Sequence, residues 1–138
     1  MASAAILAGG RASRFDGRDK SRLVVGGRSI VERQLEALSR ITDDILIVGA
    51  RCPPNPRGGV APRSVPDRVP GCGPLGGLDA ALAAARDDAV VVVACDMPFV
   101  TAELLGHLLS FAPGYDVVVP RTEPVSYTHL TLPTNREV

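Results

Sequence analysis

Near the start of the chain, Gly9 and Gly10 are followed closely by the cations Arg11, Arg14 and Lys20. Adjacent glycines let main-chain amides approach a ligand closely, because no Cβ intervenes. Exposed amides flanked by guanidinium and ammonium groups form a cradle for phosphate. The full segment is Leu7-Ala8-Gly9-Gly10-Arg11-Ala12-Ser13-Arg14, closed by Asp19-Lys20. Its spacing fits neither G-x-x-x-x-G-K-[ST] nor G-x-G-x-x-G, which excludes the two commonest nucleotide loops. Taken without its neighbours, Gly9-Gly10 also reads as an ordinary strand-to-loop turn with solvated arginines.

A lone carboxylate supplies complementary chemistry. Asp96 stands in Ala94-Cys95-Asp96-Met97-Pro98, directly after a run of valines. Carboxylate oxygen suits Mg²⁺, which usually takes one or two carboxylates and completes its shell with substrate phosphates and water. Read alone, Asp96 is equally a turn or cap residue ahead of Thr101. A third piece, Gly71-Cys72-Gly73-Pro74-Leu75-Gly76-Gly77, leads into an alanine-rich stretch. Glycines at a helix entrance present free amides to an anion. Asp67, just upstream, is a candidate acceptor for a base edge or a ribose; its alternative is a solvated loop position beside Arg68. His107 and His129 have no partner that suggests nucleophilic catalysis, and Ser13 lacks the G-x-S-x-G setting of a hydrolase elbow.

These residues need a scaffold that gathers them at one edge. Ala4–Leu7, Ile45–Val48, Arg63–Val65, Ala89–Ala94 and Val117–Val119 read as strands. Leu23–Val25 reads as a short extended piece turned by Gly26-Gly27. The valine run at Ala89–Ala94 predicts a strand buried on both faces. Ser29-x-x-Glu32 is a capping box, and behind it Ile30, Val31, Leu35 and Leu38 share one helical face. Further helices are expected over Gly76 to Arg86 and from the cap Thr101 to about Phe111. Alternating strands and helices predict an α/β fold, a Rossmann-like three-layer sandwich with a mostly parallel sheet. In such a fold, loops at the carboxyl ends of the strands bind ligands.

Composition narrows the function classes. The chain has 138 residues, 46% of them hydrophobic, which suits one domain with a real core. A net charge of +0 and 4% aromatics argue against a nucleic-acid surface or base-stacking platform. Cys52, Cys72 and Cys95 form no C-x-x-C pair, so neither a zinc site nor a disulfide framework is indicated. A reduced, cytoplasmic setting is expected. No signal peptide and no membrane-spanning run is read.

In order along the chain, the Leu7 to Arg14 segment, Asp19-Lys20, Gly73-Pro74-Leu75-Gly76-Gly77 and Cys95-Asp96-Met97-Pro98 resemble the MobA-like nucleotidyltransferases, over about residues 4 to 120. The resemblance implies the nucleotide-diphospho-sugar transferase type of fold. It implies transfer of GMP from GTP to the phosphate of molybdopterin, the organic part of the molybdenum cofactor, with release of pyrophosphate. The implied catalytic residues are Arg14, Lys20 and Asp96. Nucleotide binding is implied for Leu7, Ala8, Gly9, Gly10, Arg11, Lys20, Asp67, Gly73 and Asp96, and Mg²⁺ binding for Asp96. Transient contact with molybdenum cofactor enzymes or their chaperones is a further implied partnership. A cytidylyltransferase or sugar nucleotidyltransferase of the same fold, or a non-catalytic nucleotide-binding fragment, remains an alternative. The family often carries an asparagine after its second strand, where this chain has Val48-Gly49-Ala50-Arg51.

Ser126 to Val138 differs in composition from everything before it. It reads as a non-native or disordered tail over 125–138, following a domain over 1–124 that is incomplete at its C-terminus relative to the family.

Overall fold

The computed structural model describes residues 2–8, 14–15, 18–19, 24–52, 59–67, 73–121 and 136–137. Four parallel strands make the main sheet: β1 (Ala2–Leu7), β6 (Ile45–Val48), β7 (Arg63–Val65) and β8 (Ala89–Ala94), in the order β7-β6-β1-β8. Counted within the sheet this is 3-2-1-4, the first four positions of the doubly wound order 3-2-1-4-5-6. Two-residue strands form three small pairs: β2 (Arg14–Phe15) with β3 (Arg18–Asp19), β4 (Val24–Val25) with β5 (Arg28–Ser29), and β9 (Val118–Val119) with β10 (Arg136–Glu137). Gly26 and Gly27 join β4 to β5 with φ of 61° and 81°. Positive φ at both central residues is the geometry of a tight hairpin turn, as the glycine pair predicts.

Among the described residues, three α-helices pack on the sheet: α1 (Ile30–Ser39), α2 (Gly73–Ala84) and α3 (Ala102–Ser110). Ser29 Oγ accepts the Glu32 N–H at 3.2 Å, and Thr101 Oγ1 accepts the Leu104 N–H at 3.2 Å; both caps are the predicted ones. Helix α2 starts at Gly73 rather than at Gly76 and stops at Ala84 rather than Arg86. Gly73 enters with a φ of 58°, and a proline in the first turn suits a helix start, where its missing N–H is not needed. Gly73 and Gly76, read as part of an entrance loop, therefore belong to the helix's own first turn.

Side chains alternate across the sheet. Ala4, Ile6, Ile45, Ile47, Val91 and Val93 pack with Val31, Leu35 and Leu38 of α1 and Leu105 of α3. Ala5, Leu46 and Val48 pack with Ala80 and Ala81 of α2 on the opposite face. Strand β6 is buried throughout. Strand β8 is not buried on both faces as its valines suggest: only Val91 and Val93 are fully enclosed, because β8 lies at the edge of the sheet. Among the described residues, no helix is long and apolar enough to cross a membrane.

Candidate active site at the carboxyl edge

The main-chain ladder runs one residue past the strands at their carboxyl ends. Ala8 N–H donates to Val48 O at 2.9 Å, Gly49 N–H to Val65 O at 2.9 Å, and Cys95 N–H to Leu7 O at 3.2 Å. These bonds bring the carboxyl ends of β1, β6, β7 and β8 onto one rim. The order 3-2-1-4 puts the topological switch point between β1 and β8, where open α/β sheets bind ligands. Leu7 and Ala8 stand on one side of that point. On the other side, the turn through Cys95 and Asp96 begins with Ala94, the register partner of Leu7. Asp96 is exposed, whereas Cys95 is buried in the core beside it.

Asp67 follows β7 on the same rim. A Cβ placed at Gly77 would lie 3.3 Å from Leu7 Cδ2, 3.7 Å from Asp67 Oδ1 and 3.8 Å from Val48 Cγ1. The glycine thus lets the N-terminal part of α2 close on Leu7 and Asp67. Asp67 Oδ1 is buried and accepts no hydrogen bond among the described residues. Buried acceptors are nearly always satisfied, so an orphan at the carboxyl edge of the sheet is a candidate position for a ligand's donor. Gly73 is exposed, and its positive φ favours glycine over any other residue.

One residue of this rim was not anticipated. Gln34 is 1% exposed, and its Nε2 donates to Ala94 O at 2.7 Å and Met97 O at 3.1 Å. The two carbonyls bracket Asp96. The signal was present: Gln34 is a polar residue on the apolar stripe of α1, four residues after Ile30 and four before Leu38. Its Oε1 is the other buried side-chain atom without a partner among the described residues.

Of the remaining predicted site residues, Arg14 lies in β2 with its backbone opposite Asp19. Gly9, Gly10, Arg11 and Lys20 lie outside the described residues, as does Ser13. His107 sits on the exposed side of α3 with its ring edge-on to Phe111, centroids 5.1 Å apart. Cys52 Sγ donates to Pro62 O at 3.3 Å, and burial pushes its thiol pKa up. Among the described residues, no group of three or more His, Cys, Asp or Glu could hold a metal. A single exposed carboxylate, Asp96, fits a divalent cation that arrives with its nucleotide and takes most of its ligands from phosphate and water.

The opposite edge of the sheet has a different character. Asp44, buried just before β6, receives Ser3 Oγ at 2.6 Å, Arg63 Nε at 2.8 Å, Arg63 Nη2 at 3.2 Å and the Arg86 N–H at 3.1 Å. Its carboxyl is held well below the usual carboxylate range, chiefly by the Arg63 hydrogen bonds, against the opposing effect of burial.

The MobA-like NTP transferase domain matches the chain over residues 4–135. A protein of Pelotomaculum thermopropionicum named as a probable molybdenum cofactor guanylyltransferase is 41% identical over 121 residues, covering 88% of this chain and 58% of that one. The chain therefore spans a little under three-fifths of that relative's length. The solved structure of molybdopterin-guanine dinucleotide biosynthesis protein A from Archaeoglobus fulgidus superposes with a TM-score of 0.61 at 27% identity, over 90% of this chain and 63% of that one. A Mycobacterium tuberculosis protein solved in complex with manganese shares the fold, with a TM-score of 0.60 at 21% identity, over 87% of this chain and 63% of that one.

Proposed function

The chain belongs to the MobA-like NTP transferase domain family, and from that premise we propose that it transfers GMP from GTP to the phosphate of molybdopterin, releasing pyrophosphate. The observation that carries the proposal is the bond from Cys95 N–H to Leu7 O. It sets the Asp96 turn against the Leu7-Ala8 rim at the switch point, so that a carboxylate stands beside the entrance to the glycine- and arginine-rich loop. Relatives named as guanylyltransferases support the choice of GTP and molybdopterin.

The chemistry is a displacement at phosphorus. A phosphate oxygen of molybdopterin attacks the α-phosphorus of GTP in line; the new P–O bond forms as the bond to the β-phosphate oxygen breaks, and pyrophosphate leaves. No protein nucleophile is required, so the protein contributes position and charge. Leu7, Ala8, Gly9 and Gly10 hold the nucleotide through main-chain groups, and Asp67 and Gly73 hold it from the α2 side. Strands β7 and β8 are three strand spacings apart, about 14 Å, which an extended nucleoside triphosphate spans from Asp67 to Asp96. Lys20, Arg11 and Arg14 stabilise the phosphates and the departing pyrophosphate. Asp96 is the residue that would hold Mg²⁺, and the cation would supply positive charge to offset the negative charge developing on the phosphates. The setting is the cytoplasm, in keeping with three cysteines whose spacing matches no disulfide framework.

The test is pyrophosphate release from GTP and molybdopterin with Mg²⁺, together with the melting shift caused by GTP, CTP or UTP. GTP is expected to stabilise the chain most. Lys20→Ala and Asp96→Ala are each expected to slow turnover by about 10²–10³-fold, the usual loss on removing a preorganised electrostatic contact. Near-normal turnover in either variant would refute its assigned role, and preferential stabilisation by CTP would overturn the choice of base.

A further inference from the structure

We propose that Gln34 is a positioning residue for the metal-bound nucleotide: it clamps the turn that carries Asp96 and so sets the carboxylate's place on the rim. The inference rests on the reading of Asp96 as the metal-holding residue. Its geometry stands apart from that reading.

Residues Ala94 to Met97 form a four-residue turn with Asp96 in its third position. The Gln34 carboxamide places one N–H on the carbonyl of the first residue and the other on the carbonyl of the last, at 2.7 and 3.1 Å. Two carbonyl acceptors require the –NH₂ end of the amide, so the orientation of the side chain follows from chemistry. With the Cys95 N–H on Leu7 O, the turn is held at three points. Two of them come from a helix whose other inward residues, Val31, Leu35 and Leu38, are apolar core.

A core amide needs a reason. Gln34 buries its Oε1 without a partner among the described residues, and an unsatisfied buried acceptor is unfavourable. An apolar side chain of similar length would avoid that cost but would leave both ends of the Asp96 turn unheld. Groups that orient a metal-holding carboxylate typically alter metal affinity or activity by 10–100-fold when removed.

The experiment reads metal-dependent nucleotide binding rather than turnover. A fluorescent GTP analogue is titrated with Mn²⁺ against the wild-type chain, Gln34→Met and Asp96→Ala, with Leu38→Ala as a core control. Gln34→Met keeps the length of the side chain and removes both donors. It is expected to raise the Mn²⁺ concentration at half-maximal binding by about 10–100-fold, while nucleotide binding in the absence of metal is unchanged. Leu38→Ala is expected to lower the melting temperature and leave the Mn²⁺ midpoint where it is. Should Gln34→Met fail to fold, Gln34→Glu replaces it, since that side chain has the same shape and sets a carboxylate against the two carbonyls. A wild-type Mn²⁺ midpoint in the folded Gln34 variant, with metal dependence lost in Asp96→Ala, overturns the role of Gln34 alone. Equal Mn²⁺ dependence in the wild type and Asp96→Ala overturns the reading of Asp96 beneath it.

Discussion

Asp67→Ala is expected to make the free protein more stable and its nucleotide complex weaker. Asp67 Oδ1 is buried and unpaired among the described residues. A buried polar atom left unsatisfied costs about 1–3 kcal/mol. Truncation to alanine removes that penalty and gives up little apolar contact, since the residue lies at the rim and is only half-buried. A net gain of about 1 kcal/mol is expected, which for a domain of this size raises the melting temperature by about 4 °C. Nucleotide binding should respond in the opposite sense. A hydrogen bond to a charged group contributes about 1.5–3 kcal/mol, so the variant should bind GTP about 10–100-fold more weakly at 1.4 kcal/mol per tenfold. Differential scanning fluorimetry reads both effects: the melt without ligand gives stability, and the growth of the shift with GTP concentration gives affinity. A variant that melts below the wild type without ligand would refute the reasoning, because it would show Asp67 already satisfied in the free protein.

Two further outcomes follow from other parts of the fold. Asp44→Asn should cost about 2–3 kcal/mol at neutral pH, since it weakens several charge-assisted bonds around a buried group. Because the folded-state pKa of Asp44 is depressed, its contribution is fully present above the unfolded carboxyl's value near 3.9 and is lost as pH falls below that value. Urea melts at pH 7 and pH 3 should therefore show the gap between wild type and variant narrowing in acid; a gap of constant size would contradict the assignment. Gly77→Ala should gain up to about 1 kcal/mol from helix propensity, while its methyl, at 3.3 Å from Leu7 Cδ2, nudges Leu7 on the rim. A higher melting temperature with weaker GTP binding is the expected pair of results, and a lower melting temperature would mean that Leu7 cannot yield.

The caps at Ser29 and Thr101, the turn at Gly26-Gly27 and strands β1, β6 and β8 were legible because each depends on local chemistry: a hydroxyl before a helix, a positive φ, an unbroken apolar run. The start of α2 was misread because glycine and proline usually signal a loop, yet both suit a first helical turn. Strand β8 was overestimated because a valine run reports hydrophobicity and not position in the sheet, and strand order is a non-local property. Asp96 was legible as a candidate because it follows an apolar strand, and Asp67 because it stands just upstream of the glycine-rich stretch at 71–77. Their roles were not legible in the same way: the buried state of Asp67 Oδ1 depends on how α2 packs at Gly77. Gln34 stood out as a polar residue on an apolar stripe, but what it holds was hidden for a related reason. Its partners, Ala94 O and Met97 O, are main-chain atoms some sixty residues away, and main-chain acceptors leave no trace in side-chain identity.

The two edges of the sheet divide stability and function between them. At the amino edge, a single carboxylate draws together the leading ends of all four strands: Ser3 of β1, Asp44 itself before β6, Arg63 at the start of β7 and Arg86 just ahead of β8. Arg63 also donates to Ala84 O at 2.6 Å, which fastens the end of α2 to the same network. Among the described residues, no buried side-chain donor or acceptor there lacks a partner, so a ligand would find little to add. At the carboxyl edge the situation is reversed. Among the described residues, the two buried side-chain atoms without partners, Asp67 Oδ1 and Gln34 Oε1, both belong to residues on or behind this rim. Polar groups left unpaired in a core weaken a fold, and the saturated network at the far edge offsets that weakness without occupying the rim. Core apolar substitutions near Asp44 should therefore act on melting temperature alone, whereas changes at Asp67, Gly77 or Gln34 should separate stability from nucleotide binding.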